Sequence, residues 1–472
     1  MSLFVDKKDL TAKDEAKLLR EAKVKELMTD FKPFPKTHKL YLDFGDKYAF
    51  PRSIDIPGKT WQEYNETAKH KISFTSDIRL YTGTEGDNPD LKEGKDQATT
   101  VDEGIKLLKT TGAAFYYFST GYGKTKCAIE TIRRLGRVTL IVAYNQEVQE
   151  QTYKAIVNDT DAKVYWFNTT KEPPPEAQIV VTGLVKASKL TPQFLSRFQM
   201  VVLDEVDQCA ADAYFPLLLK IFPTYLLGLT ATINKSNGLD KALYKYFGKR
   251  ENFIYRFVKK PKVQVIKFQT EFIPNIETKL NARGQMQLDN HEIDRSLAEM
   301  KPRNKVALQL IKDVSTQGQV LVLSPRKENI VWLAERLTRD GYENDYKTVG
   351  KKKMDKKKPI LLGGLQGCGR GYDTEAKILV ILGIMSKPTQ FVGRLRDPEG
   401  KVYVLVDKYE KHEKIWLENW MPYLRKLECA VFFQVQGEDE IKEYIVKRRS
   451  KKDVSLLMDI VDTIIPEDDD DE

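Results

Sequence analysis

A glycine-rich loop, S-T-G-Y-G-K-T at residues 119–125, is the stretch whose residue types are best suited to chemistry. It follows a run that predicts a strand, A-A-F-Y-Y-F (113–118), and precedes a helical pattern, C-A-I-E-T-I-R-R-L (127–135). Glycines in such a loop let backbone N–H groups turn toward an anion, and the start of the helix adds a positive partial charge. The stretch therefore predicts a phosphate-binding loop, although a glycine-containing turn between a strand and a helix would have a similar composition.

Two side chains of this loop predict a role with a nucleoside triphosphate. Lys124 would reach the β- and γ-phosphates, and Thr125 would place its hydroxyl on Mg²⁺. One position departs from the full pattern G-x-x-x-x-G-K-[ST], because Phe118 stands where a glycine is expected. The residues predicted to contact the nucleotide in this loop are Thr120, Gly121, Tyr122, Gly123, Lys124, Thr125 and Lys126.

An apolar run that ends in acids, V-V-L-D-E-V-D (201–207), predicts a second part of the same site. Asp204 would hold Mg²⁺ at the end of the strand, and Glu205 would polarise an attacking water. In an open α/β sheet, ligands bind at the carboxyl ends of the strands, where the phosphate loop also lies. An acidic turn after a core strand is the plain alternative, and the loop upstream argues against it.

Short apolar runs alternate with amphipathic stretches from about residue 113, which predicts parallel βαβ units. The rhythm stops near Val258, and a second α/β series begins near Lys305. The expected fold class is α/β, with two tandem parallel-sheet domains, a small N-terminal accessory domain and a helical C-terminal extension. The expected bounds are 1–90 for the accessory domain, 91–257 for the first α/β domain, 258–304 for a linker, 305–408 for the second α/β domain and 409–472 for the extension with its acidic tail.

Composition argues against several classes of protein. The 472 residues, 41% of them hydrophobic, suffice for two or three domains. No apolar run reaches the roughly 18 residues of a membrane span, and the N-terminus lacks a signal-peptide pattern, so an intracellular protein is expected. Four scattered cysteines form no CxxC pair, and four histidines argue against a catalytic metal held by imidazole. The net charge of +9 weakly favours a polyanionic partner.

A third signal, L-G-L-T-A-T-I (227–233), follows the acidic strand end. In this order G-K-T, D-E-V-D and T-A-T resemble motifs I, II and III of the superfamily 2 helicases, the DEAD/DEAH-like group. In the second half, L-Q-G-C-G-R-G-Y-D (365–373) resembles motif V and Q-F-V-G-R-L-R-D (390–397) resembles motif VI. The resemblance covers about two-thirds of the chain and implies that both α/β domains are RecA-like, with ATP and Mg²⁺ bound in the cleft between them.

The resemblance also assigns roles to residues outside the phosphate loop. It implies that Arg394 acts on the γ-phosphate, with Gln390 and Arg396 as further catalytic candidates, although the last arginine of the family pattern falls on Asp397. Gln97 is similar to the glutamine that contacts adenine in the family. The remaining implied positions are Gly371 and Asp373 for the nucleotide, Thr182 for a nucleic-acid phosphate, and Thr230 and Thr232 for coupling.

The stretches T-G-Y-G-K-T-K-C-A-I-E-T-I and G-R-G-Y-D resemble the poxvirus-type transcript-release helicases of large cytoplasmic DNA viruses. This likeness implies a monomeric, DNA-stimulated ATPase with 3′→5′ movement that serves viral transcription, repair or recombination. It favours DNA over RNA as the track and makes RNA polymerase or other transcription machinery a candidate partner. The implied locations are the host cytoplasm, with its virus factories, and the virion.

Two further interpretations stay open at this point. The D-E-x-D pattern also suits an RNA helicase or remodeller of DEAD type, and a nucleotide-gated clamp or virion component would bind nucleic acid without processive movement. The lysine-dense stretch K-K-K-M-D-K-K-K (351–358) fits either a nucleic-acid contact or a solvated surface loop.

Overall fold

Runs of β-branched and aromatic residues form the sheets of this chain, and amphipathic helices cover them. The computed structural model describes residues 2–28, 35–58, 71–82, 96–119, 121–211, 214–231, 238–248, 253–256, 263–280, 286–348, 354–365, 376–385, 388, 395, 400–426, 429–438 and 440–443. Within these residues no helix is long and apolar enough to cross a lipid bilayer. Most of the buried core belongs to two large sheets.

A small N-terminal unit precedes the first large sheet. Its elements are β1 (Ser2–Asp6), α1 (Ala12–Glu21), β2 (Lys23–Lys25), β3 (Thr37–Lys39), β4 (Leu42–Asp43) and β5 (Lys47–Pro51). Strands β1, β5 and β4 pair in antiparallel fashion, and β2 pairs with β3. Thr11 caps α1 by accepting a hydrogen bond from the Asp14 backbone, which satisfies a free donor of the first turn. The unit has a small core of its own around Phe50 and Leu18.

Arg52 joins this unit to the first large sheet. Its buried guanidinium donates to the backbone carbonyls of Gly112, Pro223 and Thr224, the last two at 2.7 and 3.1 Å. Burial lowers the pKa of Arg52 to about 9, so the group is still cationic at neutral pH. Gly112 and Thr224 directly precede strands of the sheet, so the N-terminal unit packs at the amino edge of those strands.

The first large sheet is parallel throughout its described strands, in the order β12-β6-β11-β10-β7-β9-β8. The strands are β6 (Ala113–Phe118), β7 (Thr139–Ala143), β8 (Val164–Phe167), β9 (Ile179–Gly183), β10 (Met200–Asp204), β11 (Tyr225–Thr230) and β12 (Phe253–Arg256). The helices are α2 (Gln97–Thr111), α3 (Lys124–Leu135), α4 (Gln146–Asp159), α5 (Leu184–Ala187), α6 (Pro192–Leu195), α7 (Phe215–Lys220) and α8 (Lys241–Phe247). Continuous apolar strands such as β7 are buried on both faces, as parallel strands between two helical layers must be.

The second large sheet has the described order β17-β18-β16-β19-β20-β13-β21-β22, and only its last pair is antiparallel. The strands and the separate hairpin β14–β15 are β13 (Gln264–Gln269), β14 (Thr278–Leu280), β15 (Met286–Leu288), β16 (Val320–Ser324), β17 (Asn344–Lys347), β18 (Ile360–Gly364), β19 (Ile378–Ile381), β20 (Lys401–Val406), β21 (Val431–Val435) and β22 (Lys442–Glu443). The helices are α9 (Asn290–Glu299), α10 (Lys301–Ser315), α11 (Lys327–Arg339), α12 (Glu410–Ile415) and α13 (Met421–Lys426), with one π-helical turn at Trp416–Trp420. The prediction of tandem parallel-sheet, RecA-like domains is confirmed.

The second sheet also takes in segments that the sequence assigned elsewhere. Strand β13 comes from the expected linker 258–304 and lies between β20 and β21 inside the sheet. Lys267 interrupts its apolar pattern, but the buried Nζ of Lys267 contacts Glu413 at 2.7 Å, so the charge is paired. The described part of 409–472 begins as helices and continues into β21 and β22. The second domain therefore extends on both sides of the expected bounds 305–408.

A buried ion pair ties three elements of the second domain together. Arg303 of α10 donates from Nε and Nη2 to the two carboxylate oxygens of Asp407 at 2.6 and 2.9 Å, just beyond β20. Thr270, which follows β13, donates to the same carboxylate at 2.9 Å. The Nδ1 atom of His412 lies 3.6 Å from Asp407, and burial lowers the pKa of this imidazole to about 4. The imidazole is therefore neutral at physiological pH.

Replacing Arg52 with leucine should lower the free energy of unfolding by about 2–4 kcal/mol, because buried carbonyls lose their donor. Urea denaturation of both proteins measures the difference. Lys7→Ala is the matched control, since it removes an exposed ion pair with Asp43 within the same unit and should change stability far less. Equal effects of the two substitutions would contradict the role of Arg52.

The neutral His412 predicts an acid-sensitive second domain. Its pKa is depressed from 6.5 to about 4, so between these values the unfolded chain binds a proton that the folded chain does not. Stability should therefore fall as the pH drops from about 6.5 to 4, by up to about 3 kcal/mol. His412→Gln should flatten this part of the stability-against-pH curve, and His291→Gln, at an exposed histidine, should leave it unchanged.

Candidate nucleotide site

The phosphate loop joins β6 to α3 and has a backbone that only glycine adopts easily. Gly121 and Gly123 have φ angles of 84° and 99°, in the left-handed region. A side chain at Gly123 would also place its Cβ 2.3 Å from the Nε2 atom of Gln97. At Gly121 no atom lies within 4 Å of such a Cβ. The loop thus has an open outer side at Gly121 and a tightly packed inner side at Gly123.

Three aromatic rings pack beneath this loop and account for the unusual Phe118. Phe118 is fully buried, and its ring stacks on Tyr116 with centroids 4.8 Å apart. It also packs against Tyr122 of the loop at 4.7 Å. The side chain of Tyr122 is itself buried, so it supports the loop from within. Only the backbone of Tyr122 remains a candidate for contact with a nucleotide.

Gln97 holds the loop against the start of α2. Its buried side chain donates to the carbonyl of Tyr122 at 2.6 Å and accepts from the backbone of Tyr81 at 3.3 Å. The amide therefore fixes the loop position. Its contact with adenine stays a prediction.

The first residues of α3 present the charged and hydroxyl groups that phosphate binding requires. Lys124 begins the helix, and Lys124 and Thr125 are half-buried whereas Lys126 is exposed. The free N–H groups of the first turn belong to a helix of 12 residues. An anion above the loop would meet these donors and the Lys124 ammonium together.

The acidic strand end lies at the same edge of the sheet. Asp204 is the last residue of β10 and accepts a hydrogen bond from the backbone of Glu205 at 3.0 Å. Burial raises the pKa of Asp204 to about 7; the charge of Glu205 adds to this rise, and the charge of Lys124 opposes it. Strands β6, β11 and β10 are adjacent in the sheet, so the loop after β6 and the acidic end of β10 lie at the same edge. Two carboxylates here share a partly desolvated space that a cation would stabilise.

Glu205 has a strained backbone that a threonine helps to hold. Its φ of 49° makes it the one non-glycine residue with a positive φ in the described part of the chain. The hydroxyl of Thr230, at the end of β11, lies 3.3 Å from Glu205 Oε2 and 3.0 Å from Asp207 Oδ1. Asp207 is buried and accepts from Gln208 at 2.7 Å. This network orients the Glu205 carboxylate and joins β10 to β11.

The donor set fits a nucleotide with a hard divalent cation. Mg²⁺ is commonly bound by one or two carboxylates together with phosphate oxygens and water, and Asp204 with the Thr125 hydroxyl offers that combination. In the described ranges no group of three or more His, Cys, Asp or Glu side chains is arranged as a metal cage.

Thr182 was predicted to contact a nucleic-acid phosphate, and the structure contradicts this. The residue is fully buried, and its hydroxyl donates to the backbone carbonyl of Phe167 at 2.9 Å. The hydroxyl thus joins β9 to β8 and is closed to solvent.

Several predicted positions cannot be placed. Thr120, Thr232, Gly371, Asp373, Gln390, Arg394 and Arg396 lie outside the described residues. Leu395, between the two arginines, is described, and it is buried in the core of the second domain.

The sequence missed two residues that support the loop. Thr100 of α2 and Arg256 at the end of β12 hydrogen-bond to each other behind Tyr122. In the sequence, Arg256 stands out only as a charged residue at the end of an apolar strand, and no sequence pattern marks Thr100.

Comparisons with known proteins show which proteins the chain is similar to. A family model described as "Type III restriction enzyme, res subunit" matches residues 57–235. A protein of Invertebrate iridescent virus 6 named as a helicase, 161L, is 24% identical over 397 residues, which cover 76% of this chain and 88% of that protein. A protein of Acanthamoeba polyphaga mimivirus named as an ATP-dependent RNA helicase, L396, is 27% identical, and the match covers 63% of this chain and 60% of that protein.

A solved structure shows the same fold across both domains. S. cerevisiae Dbp5, bound to RNA and ADP BeF3, matches with a TM-score of 0.52 over 75% of this chain and 95% of that chain, at 14% identity. This likeness concerns the fold alone. The family model and the viral relatives together support an ATP-hydrolysing superfamily 2 helicase related to the helicases of large DNA viruses.

Proposed function

We propose that this chain couples ATP hydrolysis to movement along nucleic acid, with DNA as the track. The observation that carries the proposal is the meeting of Lys124, Asp204, Glu205 and Thr230 at the carboxyl edge of the first sheet, in a chain with a second sheet of the same kind. When two domains share one ATP site, hydrolysis removes the γ-phosphate that bridges them, and the distance between the domains changes.

Each residue at this edge has a role in the proposal. Lys124 and the backbone of the loop bind the phosphates, while Thr125 and Asp204 hold Mg²⁺. Bound Mg²⁺ would supply neutralisation of the charge that develops on the phosphates. Glu205 orients and polarises the attacking water, and the Thr230 hydroxyl, shared with Asp207, helps to position its carboxylate.

The second domain would complete the site with Arg394 and, by the same resemblance, Gln390 or Arg396. Leu395, the described residue between the two arginines in the sequence, is buried in the second core. Gly371 and Asp373 would line the same cleft. Thr232 would continue the link from Thr230 toward bound nucleic acid.

A contact between the two domains supports a shared face for nucleic acid. Lys347, at the end of β17, forms an ion pair of 2.6 Å with Glu147, near the start of α4. Lys347 is the last residue of its strand and Glu147 lies four residues after the end of β7, so the carboxyl edges of the two sheets approach each other here. Nucleic acid across these edges would respond to any change in their separation, and phosphate contacts there would give little sequence preference.

The choice of track has two candidates. The resemblance to transcript-release helicases supports DNA, a role in viral transcription, and the cytoplasm of the infected cell. The names of the mimivirus and African swine fever virus relatives, as ATP-dependent RNA helicases, favour RNA as the second candidate.

ATPase assays on a panel of single-stranded, duplex and hybrid substrates separate these candidates. We expect DNA to raise turnover and defined overhangs to reveal 3′→5′ unwinding. Stimulation by RNA alone would replace DNA with RNA as the track. If no nucleic acid raised turnover, the proposed coupling would be wrong.

Glu205→Gln should lower ATP turnover by about 100-fold or more, because the amide cannot polarise water as a carboxylate does. ATP binding, measured with a fluorescent analogue, should persist. Glu176→Gln, which removes an exposed carboxylate elsewhere in the same domain, should keep full turnover. Full turnover in Glu205→Gln would remove this residue from the chemistry.

Arg394→Ala should lower hydrolysis by about 1,000-fold while largely sparing ATP binding, as the loss of an arginine that stabilises the transition state does. Arg396→Ala, assayed in parallel, decides whether the second arginine of this stretch also acts. Turnover near that of the unmodified protein in Arg394→Ala would show that the motif VI assignment is misplaced.

A further inference from the structure

A chain of buried hydroxyl groups extends away from the phosphate loop. The Tyr122 hydroxyl lies 2.8 Å from Thr100 Oγ1 and donates to the carbonyl of Asp96 at 2.9 Å. Thr100 Oγ1 also lies 2.6 Å from that carbonyl, so the two hydroxyl protons are shared among these three contacts. Thr100 and Tyr122 are both fully buried, so water does not compete for these hydrogen bonds.

Arg256 continues this chain to the boundary of the first domain. Its Nε donates to Thr100 Oγ1 at 3.0 Å, and its Nη2 contacts Glu103 at 2.6 Å. The backbone carbonyl of Arg256 accepts from Ser119, at the start of the phosphate loop, at 3.0 Å. From Arg256 the polypeptide passes through residues 257–262 to Val263 and β13 in the second sheet.

We infer that Tyr122, Thr100 and Arg256 form a positioning relay that couples the state of the phosphate loop to the crossing between the two domains. The relay rests on the proposed function, since it transmits the effect of nucleotide binding. None of its side-chain groups needs to touch the nucleotide.

The contacts make a displacement of the loop costly unless the relay moves with it. The Tyr122 ring is packed against Phe118, and its hydroxyl is held by α2, so a shift of the loop breaks or drags these hydrogen bonds. Thr100 is the shared member, because it bonds to both Tyr122 and Arg256. Removing its hydroxyl breaks the side-chain link between Tyr122 and Arg256, leaves the backbone hydrogen bond from Ser119 to Arg256 in place, and does not alter the residues predicted to bind ATP.

Thr100→Val provides the test, since valine has nearly the same shape and lacks the hydroxyl. We expect stimulation, the ratio of kcat with and without a single-stranded oligonucleotide, to fall roughly three- to tenfold, as the loss of one or two hydrogen bonds allows. The KM for ATP should change less than twofold. Thr100→Ser, which keeps the hydroxyl, should restore stimulation. The oligonucleotide is supplied as DNA and as RNA.

Thr131→Val is the matched control in the neighbouring helix α3. Thr131 is also fully buried, its hydroxyl lies 3.0 Å from the Tyr116 hydroxyl, and it donates to a helical carbonyl four residues earlier. The substitution thus removes the same chemistry without a contact to Arg256. It should leave stimulation unchanged.

Three results would overturn the relay. The first is unchanged stimulation in Thr100→Val, and the second is an equal loss of stimulation in Thr100→Val and Thr131→Val. The third is a raised KM for ATP in Thr100→Val with stimulation retained, which would mean that the hydroxyl only shapes the loop. If the unmodified protein hydrolyses ATP without any stimulation by nucleic acid, the proposed function fails instead, and the variants show this by lacking a stimulated state to compare.

Discussion

The parallel register of β6, β11 and β10 is the constraint on which the candidate site depends. Thr230 of β11 lies opposite Tyr117 of β6, and Asp204 of β10 lies opposite Leu229 of β11. These three strands therefore end at nearly the same height. The loop after β6, the hydroxyl of β11 and the acids of β10 become neighbours because of this register, and a shift of one residue would turn their side chains to the other face of the sheet.

The parts of the site that the sequence predicted are those carried by local patterns. The glycine-rich loop and the acidic strand end follow from residues that are adjacent in the chain, and the register of the strands places both at the same edge of the first sheet. The predicted phosphate contact of Thr182 was wrong, because a polar residue near a strand end has the same local pattern whether it faces solvent or a neighbouring strand. Its burial is decided by β8, which the local sequence does not reveal.

The fold, like the site, was predictable from the sequence only where local patterns determine it. Alternating strands and helices indicated two parallel sheets, and both are present. Strand β13 was missed because Lys267 breaks its apolar run, and only the distant Glu413 explains how that charge is tolerated. Thr100 and Arg256 were missed for the same reason, since their importance depends on partners far away in sequence.

The attachment of the N-terminal unit has a practical consequence for dissecting this protein. Arg52 provides donors to carbonyls at the amino edge of the first sheet, while His38 stacks on Phe215 and Phe4 stacks on Phe222. A shortened chain that starts at α2 would expose these aromatic rings and leave the carbonyls to water. An excised ATPase core would thus present an exposed apolar surface at the face opposite its catalytic edge, and this surface would promote aggregation. The loss of activity caused by that aggregation would be mistaken for a defect in catalysis.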